Sequence, residues 1–307
     1  MNIASSDPIY AIASREGPRT LVGSFKRASN ENYIKLVETG KKYSHRLPPS
    51  KVAWMPGTEG TFGSTSTSLR VWKLGEDKPV VKLYASNKST TSTSSSSSAS
   101  PPMTSFDWNP QFSQKAATCS VDTTVAVWDV ERGKLETQLI AHDKAVFDLT
   151  YNSGNLFSSV SLDGSLRQFD ARDLDHSKIL YEDAVPLLRV ASPTKTSSFL
   201  IVVLVHENPD LLLFDTRKPG FLSSVLRCGV CPNAIAWSGN GDLLAAGLAD
   251  GTCAIFSQPG ESTKMKPSKL VESLPSGESN AGGVTNISWA GNVLSLVNGN
   301  SVVHKQL

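Results

Sequence analysis

The sequence has no long apolar run and no strong net charge. Its longest apolar stretch, residues 199–205, is far shorter than the roughly 20 residues that a helix needs to cross a bilayer. The N-terminal stretch lacks the basic start and apolar segment of a secretory signal. A formal net charge of +2 gives no reason to expect a nucleic acid or a membrane surface as a partner. We therefore expect a protein of the cell interior that contacts neither nucleic acid nor membrane directly.

Cysteine is scarce as well, with four in 307 residues: Cys119, Cys228, Cys231 and Cys253. Cys228 and Cys231 form a C-x-x-C pair, a spacing found in redox motifs and in half of many zinc sites. A zinc site needs two more soft ligands at suitable spacing, and a redox motif needs a βαβ setting. The sequence shows neither pattern. We predict free thiols in a reducing compartment, with no metal and no cofactor.

The common catalytic and ligand-binding motifs are also missing. The sequence has no P-loop, no glycine-rich dinucleotide turn, no H-E-x-x-H and no EF-hand pattern. Its carboxylates are scattered through turns, and no pair of them is marked by spacing as an acid and a base. We predict no catalytic residue and a protein that is not an enzyme.

What the sequence does contain is a repeat. An aromatic residue ends an apolar segment at Trp128, Phe169, Phe214 and Phe256, with spacings of 41, 45 and 42 residues, and Trp72 extends the series backward. This spacing is typical of β-propeller blades of the WD type. A short polar residue suited to a turn lies six positions before each aromatic. These residues are Ser66, Asp122, Asp163, Asn208 and Asp250. The regular pairing of turn and aromatic indicates one repeated antiparallel unit.

Two degraded units at residues 33–37 and 298–307 bring the number of units to seven. Seven units of about 44 residues fill the chain. The sequence therefore predicts an all-β, seven-bladed propeller that occupies residues 1–307 as one domain. The last unit lacks a fourth strand, and we expect residues 2–5 to supply it, so that the N- and C-terminal segments close the ring and leave no open edge.

Three stretches fit the repeat poorly. Residues 57–68 are rich in Gly, Ser and Thr and are poorly patterned for a strand. Residues 86–102 are dominated by Ser and Thr and predict a disordered insertion between two blades, because they offer no apolar surface to bury. Residues 258–283 are interpreted as a long polar connection before the last unit.

A polar network accompanies the repeat. His142, Ser159 and Asp163 occupy the first three places of a buried hydrogen-bond chain, and Phe169 in the fourth place has no donor. These three residue types also make up a nucleophile triad, but the repeat accounts for all of them and no nucleophile elbow is present. The predicted structural network comprises Asp122, Trp128, His142, Ser159, Asp163 and Asp250.

Four basic residues are candidates for partner binding. Arg172 and Arg217 each follow an aromatic-Asp-x pattern at the end of a third strand, in successive units. Each arginine either neutralises its own turn through an ion pair, worth about 0–1 kcal/mol at a surface, or serves as a basic anchor for a partner on one face of the ring. Lys144 and Arg189 are the other two candidates.

Several runs resemble one known family. They include A-H-D-K (141–144), D-H-S-K-I-L-Y-E-D (175–183), S-V-D-T-T-V-A-V-W-D-V-E (120–131), P-L-L-R (186–189) and N-A-I-A-W (233–237). Together these runs resemble the WD-repeat adaptors of the plant transparent testa glabra and anthocyanin-eleven type and their animal counterparts. The likeness is dense from about residue 102 to 237.

The resemblance implies a non-enzymatic, monomeric scaffold of cytoplasm and nucleus. Its implied partners are MYB and basic helix-loop-helix transcription factors, or protein kinases. For family members in cullin-four ubiquitin ligases, the aromatic-Asp-x-Arg signature would fall on Phe169 to Arg172 and on Phe214 to Arg217, with Phe where Trp is frequent. A ligase substrate receptor is thus one alternative. An enzyme with close, pKa-perturbed carboxylates in a central channel is the other.

Overall fold

The computed structural model describes residues 2–15, 19–27, 29–85, 100–193, 199–258, 265–272 and 283–307. Within these ranges all regular secondary structure is β, and its 28 strands form seven four-stranded antiparallel sheets. We call the sheets blades 1 to 7 and count the strands of each blade from the central axis outward. The predicted all-β, seven-bladed propeller is confirmed.

The strands follow one another in chain order. β1 (Asn2–Ala4) comes first and belongs to blade 7. Blade 1 consists of β2 (Ile9–Arg15), β3 (Arg19–Ser24), β4 (Asn32–Leu36) and β5 (Lys42–His45). Blade 2 consists of β6 (Lys51–Trp54), β7 (Thr61–Thr65), β8 (Leu69–Lys73) and β9 (Val81–Leu83). Blade 3 consists of β10 (Met103–Trp108), β11 (Lys115–Ser120), β12 (Thr124–Asp129) and β13 (Lys134–Ile140).

The remaining blades repeat the pattern. Blade 4 consists of β14 (Val146–Ser153), β15 (Leu156–Ser161), β16 (Ser165–Asp170) and β17 (Asp173–Glu182). Blade 5 consists of β18 (Leu187–Ala191), β19 (Leu200–Val205), β20 (Asp210–Asp215) and β21 (Leu222–Arg227). Blade 6 consists of β22 (Pro232–Trp237), β23 (Leu243–Leu248), β24 (Thr252–Ser257) and β25 (Lys266–Glu272). Blade 7 consists of β26 (Val284–Ala290), β27 (Val293–Asn298) and β28 (Ser301–Gln306), with β1 as its outer strand.

The hydrophobic core lies between neighbouring blades, because one sheet cannot bury its own two faces. Between blades 2 and 3, for example, Leu69 and Val71 of β8 pack with Phe106 and Trp108 of β10 and with Trp128 of β12. The first strands of successive blades contact one another all the way round, including β26 with β2. The seven first strands therefore surround a central channel.

The ring closes as the sequence predicts. β1 pairs with β28 in antiparallel register, with Asn2 opposite Val303 and Ala4 opposite Ser301. The pairing continues past the strand, since the Ser5 amide donates to the Asn300 carbonyl at 2.8 Å. Blade 7 thus takes its outer strand from the other end of the described chain.

Antiparallel order divides the loops between two faces of the ring. Turns between first and second strands and between third and fourth strands emerge on one side, which we call the lower face. Turns between second and third strands, and the connections from one blade to the next, emerge on the upper face. Arg172 and Arg217 lie in third-to-fourth-strand turns and so share the lower face, whereas Lys144 lies in the connection from blade 3 to blade 4 on the upper face.

Two predictions about poorly patterned stretches are wrong. Residues 57–68 contain β7, whose small side chains are required by the next blade: a Cβ on Gly63 would lie 2.7 Å from the Trp108 ring and 2.8 Å from that of Phe106. Residues 258–283 contain β25, an outer strand in a polar sequence. The insertion predicted at residues 86–102 falls largely on residues 86–99, outside the described residues.

Candidate functional site

The structure brings His142, Ser159 and Asp163 together. His142 Nε2 lies 2.8 Å from Ser159 Oγ, and Nδ1 lies 3.1 Å from Asp163 Oδ2 and 2.9 Å from Ser165 Oγ. Burial lowers the pKa of His142 to about 4, so the ring is neutral at pH 7. A neutral ring that donates from Nδ1 to Asp163 and accepts from Ser159 satisfies both nitrogens.

The same network joins the connection between blades 3 and 4 to the turn at Asp163, and its Ser159 side chain is fully buried. Burial alone would raise the pKa of Asp163, but hydrogen bonds from Ser165 and from the Asp143 amide lower it to about 2. In the fourth place, Phe169 stacks on Phe157 with ring centroids 5.3 Å apart. The contacts therefore support the structural interpretation of these residues over a catalytic one.

Sequence reasoning missed a second network of this kind in blade 2. His45 Nε2 lies 3.2 Å from Ser64 Oγ, and the Trp72 indole N–H donates to the same Ser64 oxygen at 2.9 Å. Burial lowers the pKa of His45 to about 4. The sequence signal for this network is Trp72, whose indole N–H is the donor that Phe169 lacks at the equivalent position. In blade 3 the corresponding Trp128 Nε1 donates to Thr118 Oγ1 at 2.8 Å.

Asp122 and Asp250 hold the turns between second and third strands. In each turn the Oδ1 atom accepts from both the amide and the hydroxyl of the threonine two residues later. The hydroxyl distances are 2.7 Å for Thr124 on Asp122 and 2.7 Å for Thr252 on Asp250. These side chains stabilise the repeat, which agrees with their interpretation as turn formers.

A further set of contacts joins successive blades. Four tryptophans at the ends of first strands donate their indole N–H to a carbonyl of the preceding blade's first strand. The pairs are Trp54 with Ala13 (3.2 Å), Trp108 with Ala53 (3.2 Å), Trp237 with Ala191 (3.2 Å) and Trp289 with Ala236 (3.0 Å). We call these pairs the tryptophan latches. Sequence reasoning missed them, although four of the six tryptophans belong to the set.

The central channel has a cavity of about 420 Å³ and contains a charged cluster. Asp148 Oδ1 accepts from Ser105 Oγ at 2.6 Å and lies 3.4 Å from Lys51 Nζ, so the pair joins blade 2 to blade 4. Its Oδ2 accepts from the Val190 amide of blade 5 at 3.2 Å. Burial works to lower the pKa of Lys51, but the nearby carboxylates outweigh it and the pKa lies above its usual value.

Asp107 is the second carboxylate of the channel. Burial raises its pKa, while Lys51 and the Tyr151 amide, which donates to Oδ2 at 2.9 Å, act in the opposite direction. The channel thus contains the two carboxylates that the enzyme alternative requires. Both are occupied by donors from neighbouring blades, and this arrangement gives them a role in holding the ring together.

Arg189 was predicted as a partner-binding residue and lies at the wall of this channel. Its Nη1 donates to the Leu188 carbonyl at 3.1 Å, and its Nη2 lies 3.5 Å from the Tyr10 hydroxyl across the ring. Lys144, on the upper face, accepts a hydrogen bond from Ser161 through its carbonyl oxygen at 3.0 Å. The four basic candidates are therefore divided among two faces and the channel.

Arg172 and Arg217 have matching geometry on the lower face. Each guanidinium makes a bidentate contact with the aspartate two residues earlier, from Nε to Oδ1 at 2.9 Å and from Nη2 to Oδ2 at 2.6 Å. The arginine hydrogen bonds lower the pKa of both Asp170 and Asp215. The two sites differ in burial: the Asp215 side chain is 1% exposed and that of Asp170 is 27% exposed.

No group of three or more His, Cys, Asp or Glu side chains suited to a metal ion occurs in the part of the chain that the structure describes. In the same part, no helix has the length and apolar character needed to cross a membrane. The thiols of Cys119, Cys228, Cys231 and Cys253 are free, and burial raises the pKa of three of them, Cys119, Cys228 and Cys253, to about 12.

Seven four-stranded blades, two of them with a buried His–Ser contact and three with an aspartate-held turn, define a β-propeller built of WD repeats. In agreement, the sequence model of the protein family "WD domain, G-beta repeat" matches residues 133–170 and 224–257. The chain is 36% identical over 206 residues to the DDB1- and CUL4-associated factor 7 homolog of Dictyostelium discoideum. It is 34% identical over 254 residues to an uncharacterized WD repeat-containing protein of Schizosaccharomyces pombe.

A WD repeat-containing protein of Saccharomyces cerevisiae is 35% identical over 200 residues. These three matches cover 64%, 73% and 57% of this chain. They span 61%, 57% and 38% of the three relatives' own lengths. The comparisons agree with the fold in making the protein a WD-repeat propeller.

Proposed function

We propose that the protein is a non-enzymatic scaffold that assembles regulatory protein complexes in cytoplasm and nucleus. The observation that carries the proposal is the matched pair of Asp–Arg corners, Asp170 with Arg172 and Asp215 with Arg217, on one face of the ring. Repeating the same Asp–Arg ion pair in two successive blades presents a partner with two arginine side chains of fixed spacing, each more than half exposed. The polar atoms of His142, Ser159 and Asp163 are hydrogen-bonded to one another inside the fold.

The partners that the family resemblance suggests are transcription factors of the MYB and basic helix-loop-helix classes, or protein kinases. The test is affinity capture of the tagged protein from its own cells, with mass spectrometry of what is bound. The double variant Arg172→Glu/Arg217→Glu is run beside Lys144→Glu, which changes charge on the upper face. Loss of a reproducible regulator with the first variant alone supports the scaffold. Recovery of no regulator by the unmodified protein contradicts it.

A second candidate function is that of a substrate receptor docked on the DDB1–CUL4 ubiquitin ligase. It is favoured by the aromatic-Asp-x-Arg corners and by similarity to a protein whose name describes it as DDB1- and CUL4-associated. Binding of purified DDB1 to the purified protein tests it. We expect Arg172→Glu/Arg217→Glu to abolish binding and Lys144→Glu to leave it unchanged. Full binding by the lower-face variant would contradict this function.

The enzyme alternative is tested at the channel. Asp107 and Asp148 both line the channel cavity, where the acid and base of an enzyme would lie. However, each of them accepts a hydrogen bond from an adjacent blade. The scaffold proposal predicts that Asp107→Asn lowers stability and leaves partner capture intact. A hydrolytic activity of the purified protein that Asp107→Asn removes would overturn it.

A further inference from the structure

One corner of the lower face exposes large apolar side chains beside cations. The blade-5 corner, which we define as Phe199, residues 216–222 and the neighbouring Lys178, exposes 73% of Phe221, 45% of Phe199 and 43% of Leu222. A single exposed apolar side chain is ordinary on a protein surface. Two aromatic rings and a leucine on one corner are not, and such clusters mark interaction sites.

The corner is held rigidly. Arg217 is fixed on Asp215 by the bidentate contact, and its guanidinium lies 4.6 Å above the centroid of the Phe199 ring. The Lys218 amide donates to the Asp215 carbonyl at 2.8 Å. Gly220 has a φ of +78°, which glycine adopts without strain, and its amide donates to Leu180 of blade 4 at 2.8 Å. These contacts fix the backbone from which Phe221 projects, so little backbone ordering is needed when a partner binds.

The corner is also basic. Arg217 is paired with Asp215, and Lys218 is the next residue in the same turn. Lys178 Nζ donates to the Thr216 carbonyl at 3.1 Å, so its charge is directed at the turn and is not neutralised by that contact. Because Arg217 and Asp215 neutralise each other, the two lysines leave the corner with a net positive charge, which favours a partner of negative charge.

Blade 4 provides an internal comparison. Its corner has the same bidentate pair, Arg172 on Asp170, and Arg172 has a side chain that is 71% exposed. However, its turn runs directly from Asp170 to Asp173 and presents no aromatic residue. An Asp–Arg corner therefore forms without aromatic residues. The exposed Phe199 and Phe221 of blade 5 are not required for the turn itself.

We propose that the blade-5 corner is the docking site for an acidic segment of a partner protein, which packs a large apolar side chain against Phe221 and Phe199 and sets a carboxylate beside Arg217 and Lys218. This inference rests on the proposed scaffold function and names the chemistry of the partner. Aromatic and arginine side chains at the centre of an interface are the ones whose removal weakens binding most.

The experiment uses a phage-displayed library of random 16-residue peptides, selected on the full-length purified protein. Enriched peptides are synthesised, and their affinity is measured for the unmodified protein, Phe221→Ala and Phe25→Ala. Phe25 is the matched control because it is a phenylalanine of 39% exposure that follows the second strand of blade 1, on the upper face. Phe221 is too exposed for its truncation to unfold the ring, and thermal unfolding of each variant verifies this.

We expect enriched peptides that combine a net negative charge with a large apolar residue, bind Phe221→Ala about 10-fold more weakly and bind Phe25→Ala unchanged. Their affinity falls as salt is raised. Enriched peptides that are neutral or basic, equal binding to Phe221→Ala, or selection of no binding peptide would each overturn the inference.

The purified DDB1 assay separates this inference from the ligase function. DDB1 binding that is lost in Arg172→Glu/Arg217→Glu but unchanged in Phe221→Ala leaves the ligase function standing and contradicts the aromatic site for that partner. Acidic peptides that require Phe221, with no binding of DDB1, support the docking site and contradict the ligase function.

Discussion

The indole N–H of Trp108 in blade 3 donates to the carbonyl oxygen of Ala53 in blade 2 at 3.2 Å. The contact links first strands that are not paired in one sheet, and three more tryptophans repeat it around the channel. Each latch satisfies a backbone carbonyl that faces the channel side of the ring and also fills the space between blades.

Replacing Trp108 by phenylalanine tests a latch. The ring of Trp108 is 3% exposed, so the change removes the hydrogen bond and leaves a small gap beside Phe106. We expect a loss of roughly 1–3 kcal/mol in the free energy of unfolding, because the Ala53 carbonyl loses its indole donor and the packing between the two blades is weakened. Urea denaturation measures it. A variant as stable as the unmodified protein would mean that the latch contributes nothing.

The Lys51–Asp148 pair in the channel is expected to couple two blades that are not neighbours. Its Nζ–Oδ1 distance is 3.4 Å, and Asp148 is nearly buried while Lys51 is one-third exposed. A double-mutant cycle with Lys51→Met and Asp148→Asn, read by urea denaturation, should give a coupling free energy on the order of 1 kcal/mol. Additive single effects would show that the two charges stabilise the ring separately, through their other contacts.

Stability should fall as the pH drops from about 6.5 towards 4. Burial lowers the pKa of His142 to about 4, whereas the unfolded chain takes up the proton near the ordinary value of 6.5. The unfolded state binds more protons across that window, so a falling pH lowers its free energy relative to that of the folded state. Above 6.5 and below 4 the group adds no slope. Asp143, Asp163 and Arg167 are the charged groups around the ring, and the pKa of Asp163, about 2, lies below the window.

Unfolding in urea at several pH values measures this slope, with His142→Gln and His176→Gln as the pair of variants. His142→Gln should flatten it by up to about 1.4 kcal/mol per pH unit. His176 has a side chain that is 85% exposed and serves as the control, with no change expected. If His142→Gln and the unmodified protein have equal slopes, burial of a neutral His142 is not the cause.

The two Asp–Arg corners should differ in their effect on stability. Arg217→Ala leaves Asp215, which is almost fully buried, without its main counter-charge and removes a cation from the Phe199 ring. Arg172→Ala leaves Asp170 partly in water. We therefore expect Arg217→Ala to lower the melting temperature clearly and Arg172→Ala to lower it little, by differential scanning calorimetry. The reverse order would contradict this account of the corners.

The repeat could be predicted from sequence because its markers are single residues at fixed positions. Trp128 and Asp122, for instance, mark positions set by the pleat and by the turn, and an aromatic residue and a short polar residue recur at those positions in blades 2 to 6. The outer strands have no such marker. β13 is exposed along most of its length, so its sequence lacks an apolar alternation. The polar sequence of β25 likewise gives no strand pattern, which is why the sequence predicts a connection there.

Blade 2 was underestimated for a different reason. Gly63 of β7 is small because the rings of Phe106 and Trp108 from the next blade occupy the space beside it, and its neighbour Ser64 accepts from the Trp72 indole N–H. The small residues of such a strand are determined by packing against the neighbouring blade. Its own sequence therefore lacks the alternation of apolar residues that predicts a strand. The tryptophan latches and the channel charges depend in the same way on blades that meet only in the folded ring.

The pairing of β1 with β28 in blade 7 has a consequence for the order in which the blades fold. The other six blades are each built from one continuous stretch and can form their sheets from local contacts. Blade 7 must bring Ala4 to Ser301 across almost the whole described chain, and the pairing is only three residues long. Closing so long a loop has the largest entropic cost of any strand pairing in the ring. The seam beside β1 should therefore form last and be the first place to open when the ring is heated or pulled.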